Sequence, residues 1–202
     1  MIRCGRPHVD ALAKLSGRAF FTDPLYEYVF PDAATREALA AWELGGIVHY
    51  GVRFGEAYAA PDLSGCAVWL PPGQTDFTLE RMAEIGMQDS AAHIGVGPEE
   101  RLMRFITESE ECHGRVAADL HWYLVLLVVD PARQEEGIGS ALLAAGLERA
   151  DAEGYAVYLE ATNPLNVPFY QKRGFEVRLE ATLSDSGAHI WYMVRDPVRR
   201  TA

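Results

Sequence analysis

The stretch that decides the reading is LHWYLVLLVVDPARQEEGIGSALLAAGLERADAEG, residues 120–154. Within it Tyr123 to Val129 form a continuous β-branched and leucine run, the pattern of a central strand buried on both faces. Pro131 follows that run, and Gly137-Ile138-Gly139 opens a second apolar stretch ending at Gly154, which predicts a helix over about 138–153. AVYLEAT, residues 156–162, reads as another strand, and a helix crossover makes the two strands parallel neighbours in one βαβ unit. A helix N-terminus entered through glycines presents unpaired N–H groups and the positive end of the helix dipole. Gly137 and Gly139 therefore mark an anion site for a phosphate or pyrophosphate.

Working outward, a short helix is predicted around residues 167–173, ending at Gly174. FEVRLEATL (175–183) and HIWYMVRD (189–196) then flank the turn SDSGA and make a closing hairpin that could supply a dimer edge. On the N-terminal side, Val9, Leu12, Leu15, Ala19 and Phe20 recur at helical spacing within residues 7–21, and residues 34–55 form a second helix that buries Leu39, Trp42 and Ile47. Between them lies an aromatic, Pro-bounded link, residues 23–32. EAYAAP (56–61) and GCAVWLPPG (65–73) read as an antiparallel hairpin, followed by helical stretches at 78–87 and 99–114.

The chain has 202 residues, 49% hydrophobic and 23% charged, which fits one globular domain over 1–202 with a sizeable core. No window is long and apolar enough for a membrane span, and MIRCGRPHVD lacks a signal-peptide core, so a cytoplasmic protein without a membrane partner is expected. Cys4, Cys66 and Cys112 are widely spaced and have no CxxC pair, which predicts free structural thiols and no metal site. A net charge of −11 repels phosphate backbones and argues against nucleic acid, although Arg195, Arg199 and Arg200 form a small basic end.

Two phosphate motifs fail against the letters. A P-loop needs a lysine after its second glycine, where Ser140 stands. The dinucleotide fingerprint needs a third glycine, where Leu142 stands, and residues 130–136 intervene between strand and glycines although that fold turns directly from one to the other.

The fuller pattern is Val129-Asp130-Pro131 followed by Gln134-Glu135-Glu136-Gly137-Ile138-Gly139, and downstream Asn163-Pro164-Leu165-Asn166-Val167-Pro168-Phe169-Tyr170 with Gly174-Phe175. Here the sequence resembles the GNAT N-acetyltransferase superfamily, whose fingerprint is V-x-P-x-x-[QR]-x-x-G-x-[GA], over residues 121–177. AVWLPPG and YLEATNPLNVPFY further resemble the branch containing puromycin N-acetyltransferase. The resemblance implies an α/β fold with a central twisted mixed sheet of about six to seven strands flanked by helices, the parallel central strands splayed around the cofactor. It also implies acetyl-CoA as cosubstrate and coenzyme A as product. The backbone from Glu135 to Ser140, with Gln134 leading in, would hold the pyrophosphate. Leu127, Val128 and Val129 would pair with the pantetheine arm through their backbone, an N–H near Leu127 would polarise the acetyl carbonyl, and Asn163 or Asn166 would contact the pantetheine.

Acetyl transfer to an amine needs the amine neutral, the developing oxyanion stabilised and a proton for the departing thiolate. Family analogy places Tyr170 beside the sulfur, where a phenol of pKa about 10 keeps a proton to give. Its ordinary alternative is a core tyrosine. Glu160, ending a buried strand, is the first candidate base, since desolvation would raise its pKa; its ordinary alternative is a carboxylate hydrogen-bonded to backbone. His121 is the second. Cys112 and His113, adjacent on a helix, point apart and make no nucleophile pair. Asp23, Tyr26, Tyr28 and Trp69 are candidate contacts for an aromatic or cationic acceptor. The leading function is transfer to the primary amine of a small molecule, by a monomer or homodimer. The competing readings are an acyl-CoA-binding module without turnover and a protein lysine or N-terminal acetyltransferase.

Overall fold

The computed structural model describes residues 1–184 and 187–198. The chain begins with a two-residue strand β1 (Ile2–Arg3), then α1 (Val9–Ala19), α2 (Pro24–Val29) and the long α3 (Ala33–Phe54). The hairpin β2 (Glu56–Ala59) and β3 (Gly65–Leu70) is followed by α4 (Leu79–Glu84), α5 (Ser90–Ile94) and α6 (Val96–Val116). The unit β4 (His121–Val129), α7 (Ile138–Glu153) and β5 (Ala156–Ala161) leads to α8 (Val167–Gln171) and the hairpin β6 (Glu176–Thr182) and β7 (His189–Arg195). All seven strands join one mixed sheet in the order β1-β2-β3-β4-β5-β7-β6. Among the described strands only β4 and β5 are parallel.

That parallel pair is short. It covers His121 with Ala156, Trp122 with Val157 and Tyr123 with Tyr158, although β4 continues to Val129 and β5 to Ala161. Beyond Tyr123 the strands part, as expected, and the β5-facing edge of β4 from Leu124 onward is left open. On its other side β4 stays paired with β3, where Val68 faces Leu126 and Trp69 faces Leu124, so Val125 is the extra residue of a bulge. A bulge shifts the alternation by one. Trp122 and Leu124 pack toward α7, while Leu126 and Val128 pack toward α1 and α3.

The core therefore has two layers, one on each sheet face. Leu12, Leu15, Val48 and Tyr192 lie in the first, and Trp69, Leu142, Leu143 and Met193 in the second. On β5 the period of two sends Val157, Leu159 and Ala161 under α7 and Tyr158 to the opposite face.

Several elements depart from the sequence reading. The link between the first two long helices is itself helical, because the Asp23 carboxylate accepts from the Leu25 N–H and Pro24 occupies the first turn, where a missing donor costs nothing. The helix expected over 99–114 starts at Val96, after Gly95 in a left-handed conformation. Arg195 does not belong to a basic end. It is buried, and its guanidinium grips the Asp151 carboxylate at 2.7 and 2.8 Å, fastening β7 to α7. Arg199, Arg200 and the centre of the SDSGA turn, residues 185–186, lie outside the described residues. Among the described residues the three thiols are free, no helix is long and apolar enough to cross a membrane, and no cluster of His, Cys, Asp or Glu could hold a metal.

Candidate active site

Where β4 and β5 part, a cavity of about 830 Å³ opens between their first-layer face and helices α2, α3 and α6. Glu43, Asp76, Glu99, Glu110, Asp119 and Glu160 line it, with aromatic walls that include Tyr26, Trp42, Tyr123 and Tyr170. Among the described residues no lysine or arginine lines it. A volume of this order suits a drug-sized molecule, and the charge of its walls suits a cation.

Glu160 sits part-buried on the floor and accepts hydrogen bonds from the Tyr123 hydroxyl at 2.6 Å and the Tyr158 hydroxyl at 2.7 Å. Withdrawal from water raises its pKa, and the two phenol donors only partly offset that. Burial raises both tyrosines too, so they remain donors. The His113 ring stacks on Tyr158 with centroids 3.9 Å apart, and its Nε2 lies 2.7 Å from Nε2 of His121. His121 Nδ1 is 2.7 Å from the Asp119 carbonyl, which can only accept. That fixes the tautomers of the neutral pair: His121 carries its proton on Nδ1, its Nε2 accepts from His113, and the Nδ1 of His113 keeps a lone pair with no hydrogen-bond donor among the described residues. Both rings are held neutral. Burial, then the neighbouring His121, lowers His113 from 6.5 to about 4, and burial lowers His121.

On the opposite wall the Tyr26 hydroxyl donates to Glu43 Oε2 at 2.5 Å, and burial raises Glu43 from 4.5 to about 7. Asp23 stands just behind this wall, accepting from the Thr162 hydroxyl at 2.9 and 3.0 Å, and burial raises its pKa. Tyr170 lines the cavity near the end of β5, and its hydroxyl makes no hydrogen bond among the described residues. Burial raises its pKa and the Arg173 cation pulls the other way.

The glycine entry to α7 lies outside the cavity, at the surface beyond the end of β4. Gly137 caps the helix at φ 83° with no side chain serving as cap, so the N–H groups of Ile138, Gly139 and Ser140 have no intrahelical acceptor. Glu135 also takes a positive φ, 67°. Gln134, Glu135 and Glu136 are exposed around this turn. A Cβ at Gly139 would lie 3.3 Å from Val129 and 3.7 Å from Phe169, which places the entry directly beside the end of β4 and the start of α8. Arg173 bonds the Ser140 hydroxyl and lies over the Phe169 ring at 3.6 Å, bringing a cation to this rim.

Residues 72–196 match the family model of the acetyltransferase (GNAT) domain, well over half of the chain. The chain belongs to the GNAT acetyltransferase family. An uncharacterized N-acetyltransferase of Schizosaccharomyces pombe is 24% identical to it over 187 residues, 89% of this chain and 76% of that protein. Two solved structures share the fold over nearly its full length. A histone acetyltransferase HPA2 and related acetyltransferase from Corynebacterium glutamicum gives a TM-score of 0.62 at 22% identity, covering 100% of this chain and 97% of that one. Arylalkylamine N-acetyltransferase 2 from Aedes aegypti gives 0.59 at 14% identity, covering 96% and 97%.

In this GNAT acetyltransferase the cavity gathers Glu160, His121, Tyr170, Tyr26, Leu127 and Asn166 from the sequence-based set. Three of the four acceptor contacts do not line it: Asp23 lies behind the wall, its carboxylate taken up by the Thr162 hydroxyl and the Leu25 N–H. Trp69 faces the other way, its indole pressed against Gly146 of α7, where any side chain would collide, and its Nε1 is buried without a partner among the described residues. Tyr28 packs at the edge of the first core layer. Asn163 is occupied as a cap, its carboxamide accepting from the Leu165 N–H at 3.0 Å, whereas Asn166 makes no capping bond and lines the cavity. The sequence reading missed Tyr123, Tyr158, Glu43, Thr162 and Arg173. It set His113 aside with Cys112, and the two neighbours do diverge, Cys112 toward Tyr192 and His113 toward His121.

Proposed function

We propose that this acetyltransferase moves the acetyl group of acetyl-CoA directly to the primary amine of a small molecule within a ternary complex. The observation that carries this reading is the open edge of β4. It runs from the uncapped α7 N-terminus at one end to the acidic cavity at the other. Coenzyme A fits that path: the N–H groups of the Glu135 to Ser140 turn suit its pyrophosphate, and the unpaired backbone of Leu127, Val128 and Val129 suits the amides of its pantetheine arm. Asn166, which lines the cavity, is the asparagine placed to contact that arm. When bound, the thioester supplies an activated acyl group.

The chain's own residues then divide the proton work. Acidic walls, with no lysine or arginine among the described lining residues, draw an ammonium in, and Glu160, its pKa raised, takes the proton that must leave before nitrogen can attack. Tyr123 and Tyr158 hold that carboxylate in place. An N–H of the open edge near Leu127 polarises the acetyl carbonyl, and Tyr170 gives its proton to the departing sulfur. The His113–His121 pair packs beside Tyr158 and steadies the phenol that donates to Glu160.

The test pairs binding with turnover. Saturating acetyl-CoA at about 100 times its dissociation constant should stabilise the fold by roughly 2.7 kcal/mol, a rise in melting temperature of roughly 5–10 °C. Thiol release should then follow small amines and not lysine peptides. Binding without release for any amine would leave a non-catalytic module, and release with peptides alone would leave a protein acetyltransferase.

A further inference from the structure

One face of α6 runs the length of the cavity, presenting Glu99, Leu102, Ile106, Ser109, Glu110 and His113 in turn. The chemistry proposed above sits at the C-terminal end of that face, where the Tyr123 hydroxyl is within electrostatic reach of both Glu160 and Glu110. The other end holds Glu99. Its Oε2 is buried and has no hydrogen-bond partner among the described residues, a state that costs stability unless something fills it. The nearest arginine along the helix, Arg101, is turned away, donating to the Val29 carbonyl at 2.8 and 3.0 Å. Glu43, the other acid toward this wall, already accepts from Tyr26. Glu99 and Glu110 are eleven positions apart on α6, so at about 1.5 Å per residue their levels differ by roughly 16 Å. Between those levels Leu102 and Ile106 of α6 face Leu126 of β4 across an apolar stretch.

We propose that the acceptor is an elongated dibasic amine: one nitrogen reacts beside Glu160, the second, as an ammonium, rests against Glu99, and an apolar spacer crosses the middle of the cavity. This rests on the acetyl-transfer reading for its first nitrogen only. The second subsite stands on the cavity and, among the described residues, on the unpartnered carboxylate and the absence of a lining cation. An apolar middle disfavours a chain with a central charge, because an ammonium there would lose its water and gain no partner.

The test is a length series of α,ω-diamines set against linear monoamines of equal length, with thiol release as readout, on the wild-type chain and on Glu99→Gln. The ratio of diamine to monoamine kcat/KM should rise with length, reach about tenfold at the spanning length and fall toward one in Glu99→Gln. No length optimum in the wild-type chain would overturn the proposal without any variant. A ratio that survives in a folded Glu99→Gln would overturn it as well, and so would basic peptides that outcompete every diamine. Melting shifts with the same amines, measured without acetyl-CoA, separate the two readings. Length-dependent shifts lost in Glu99→Gln, with no thiol released, would retain the subsite and remove acetyl transfer. Turnover of all amines without length preference would do the reverse.

Discussion

Tyr123 donates its hydroxyl to Glu160 at 2.6 Å from the last paired position before β4 and β5 part. Tyr158, the residue paired with it across the strands, donates to the other carboxylate oxygen. The splay and the acid are thus one construction. The strands must separate to expose the floor, and the tyrosines at the fork hold the carboxylate there. Replacing Glu160 by Gln should lower kcat by about 10²–10⁴-fold with acetyl-CoA affinity retained, as expected on loss of a positioned base. The wild-type rate should fall as pH drops through the raised pKa of Glu160, and the variant's residual rate should lack that limb. Tyr123→Phe removes a donor that favours the ionised carboxylate, so its limb should move to higher pH. The pH profiles of kcat and kcat/KM for the three proteins, with acetyl-CoA affinity read calorimetrically, check these outcomes.

Tyr170 is the group that separates an enzyme from a binder. Burial keeps its phenol protonated, and among the described residues no hydrogen-bond partner commits it. Tyr170→Phe should lower kcat by on the order of 10²-fold while coenzyme A binding, read calorimetrically, stays within about twofold. An unchanged rate would remove the acid role.

Glu43 makes a prediction about stability alone. Its folded pKa of about 7 exceeds its ordinary 4.5, so the folded state binds this proton more tightly. The resulting stabilisation is complete below pH 4.5 and lost as pH rises through 7. Glu43→Gln cannot titrate, so from pH 4 to pH 8 it should gain on the wild type by about 3 kcal/mol. Asp23 and Glu160 have raised pKa values too and slope the same way, but they are common to both proteins and cancel in the difference. Urea denaturation at several pH values measures it.

How far the sequence could carry these assignments depended on whether a contact is local. The β4–α7–β5 unit was legible because a buried parallel strand, a glycine-opened helix and a second strand each leave a short-range pattern, and Gly137 at φ 83° stands where that pattern required it. The orientation of Trp69 was not legible. Every residue of β3 is buried, so alternation gives no clue to which face it serves. Tyr123 and Glu160 lie 37 positions apart and Asp23 and Thr162 139 apart, and no pattern in either strand or helix announces such pairs. His113 was discounted from its neighbour Cys112, but its partner His121 comes from the next strand, joined by the turn after α6.

That histidine pair yields a prediction about protons that can be seen directly. The Asp119 carbonyl forces the proton of His121 onto Nδ1, and the 2.7 Å contact then forces the proton of His113 onto Nε2. Nitrogen-15 shifts should show these opposite tautomers at pH 7, with His113 untitrated until the pH nears 4. A lowered folded pKa gives stability that is present above pH 6.5 and lost as the pH falls toward 4. His113→Phe keeps a ring against Tyr158 but cannot take up a proton, so it should lose less stability than the wild type across that window. It should also free the His121 Nε2 to titrate against solvent. Matching tautomers on the two rings, or a His113 that titrates near 6.5, would show that the pair is not held as the Asp119 carbonyl requires.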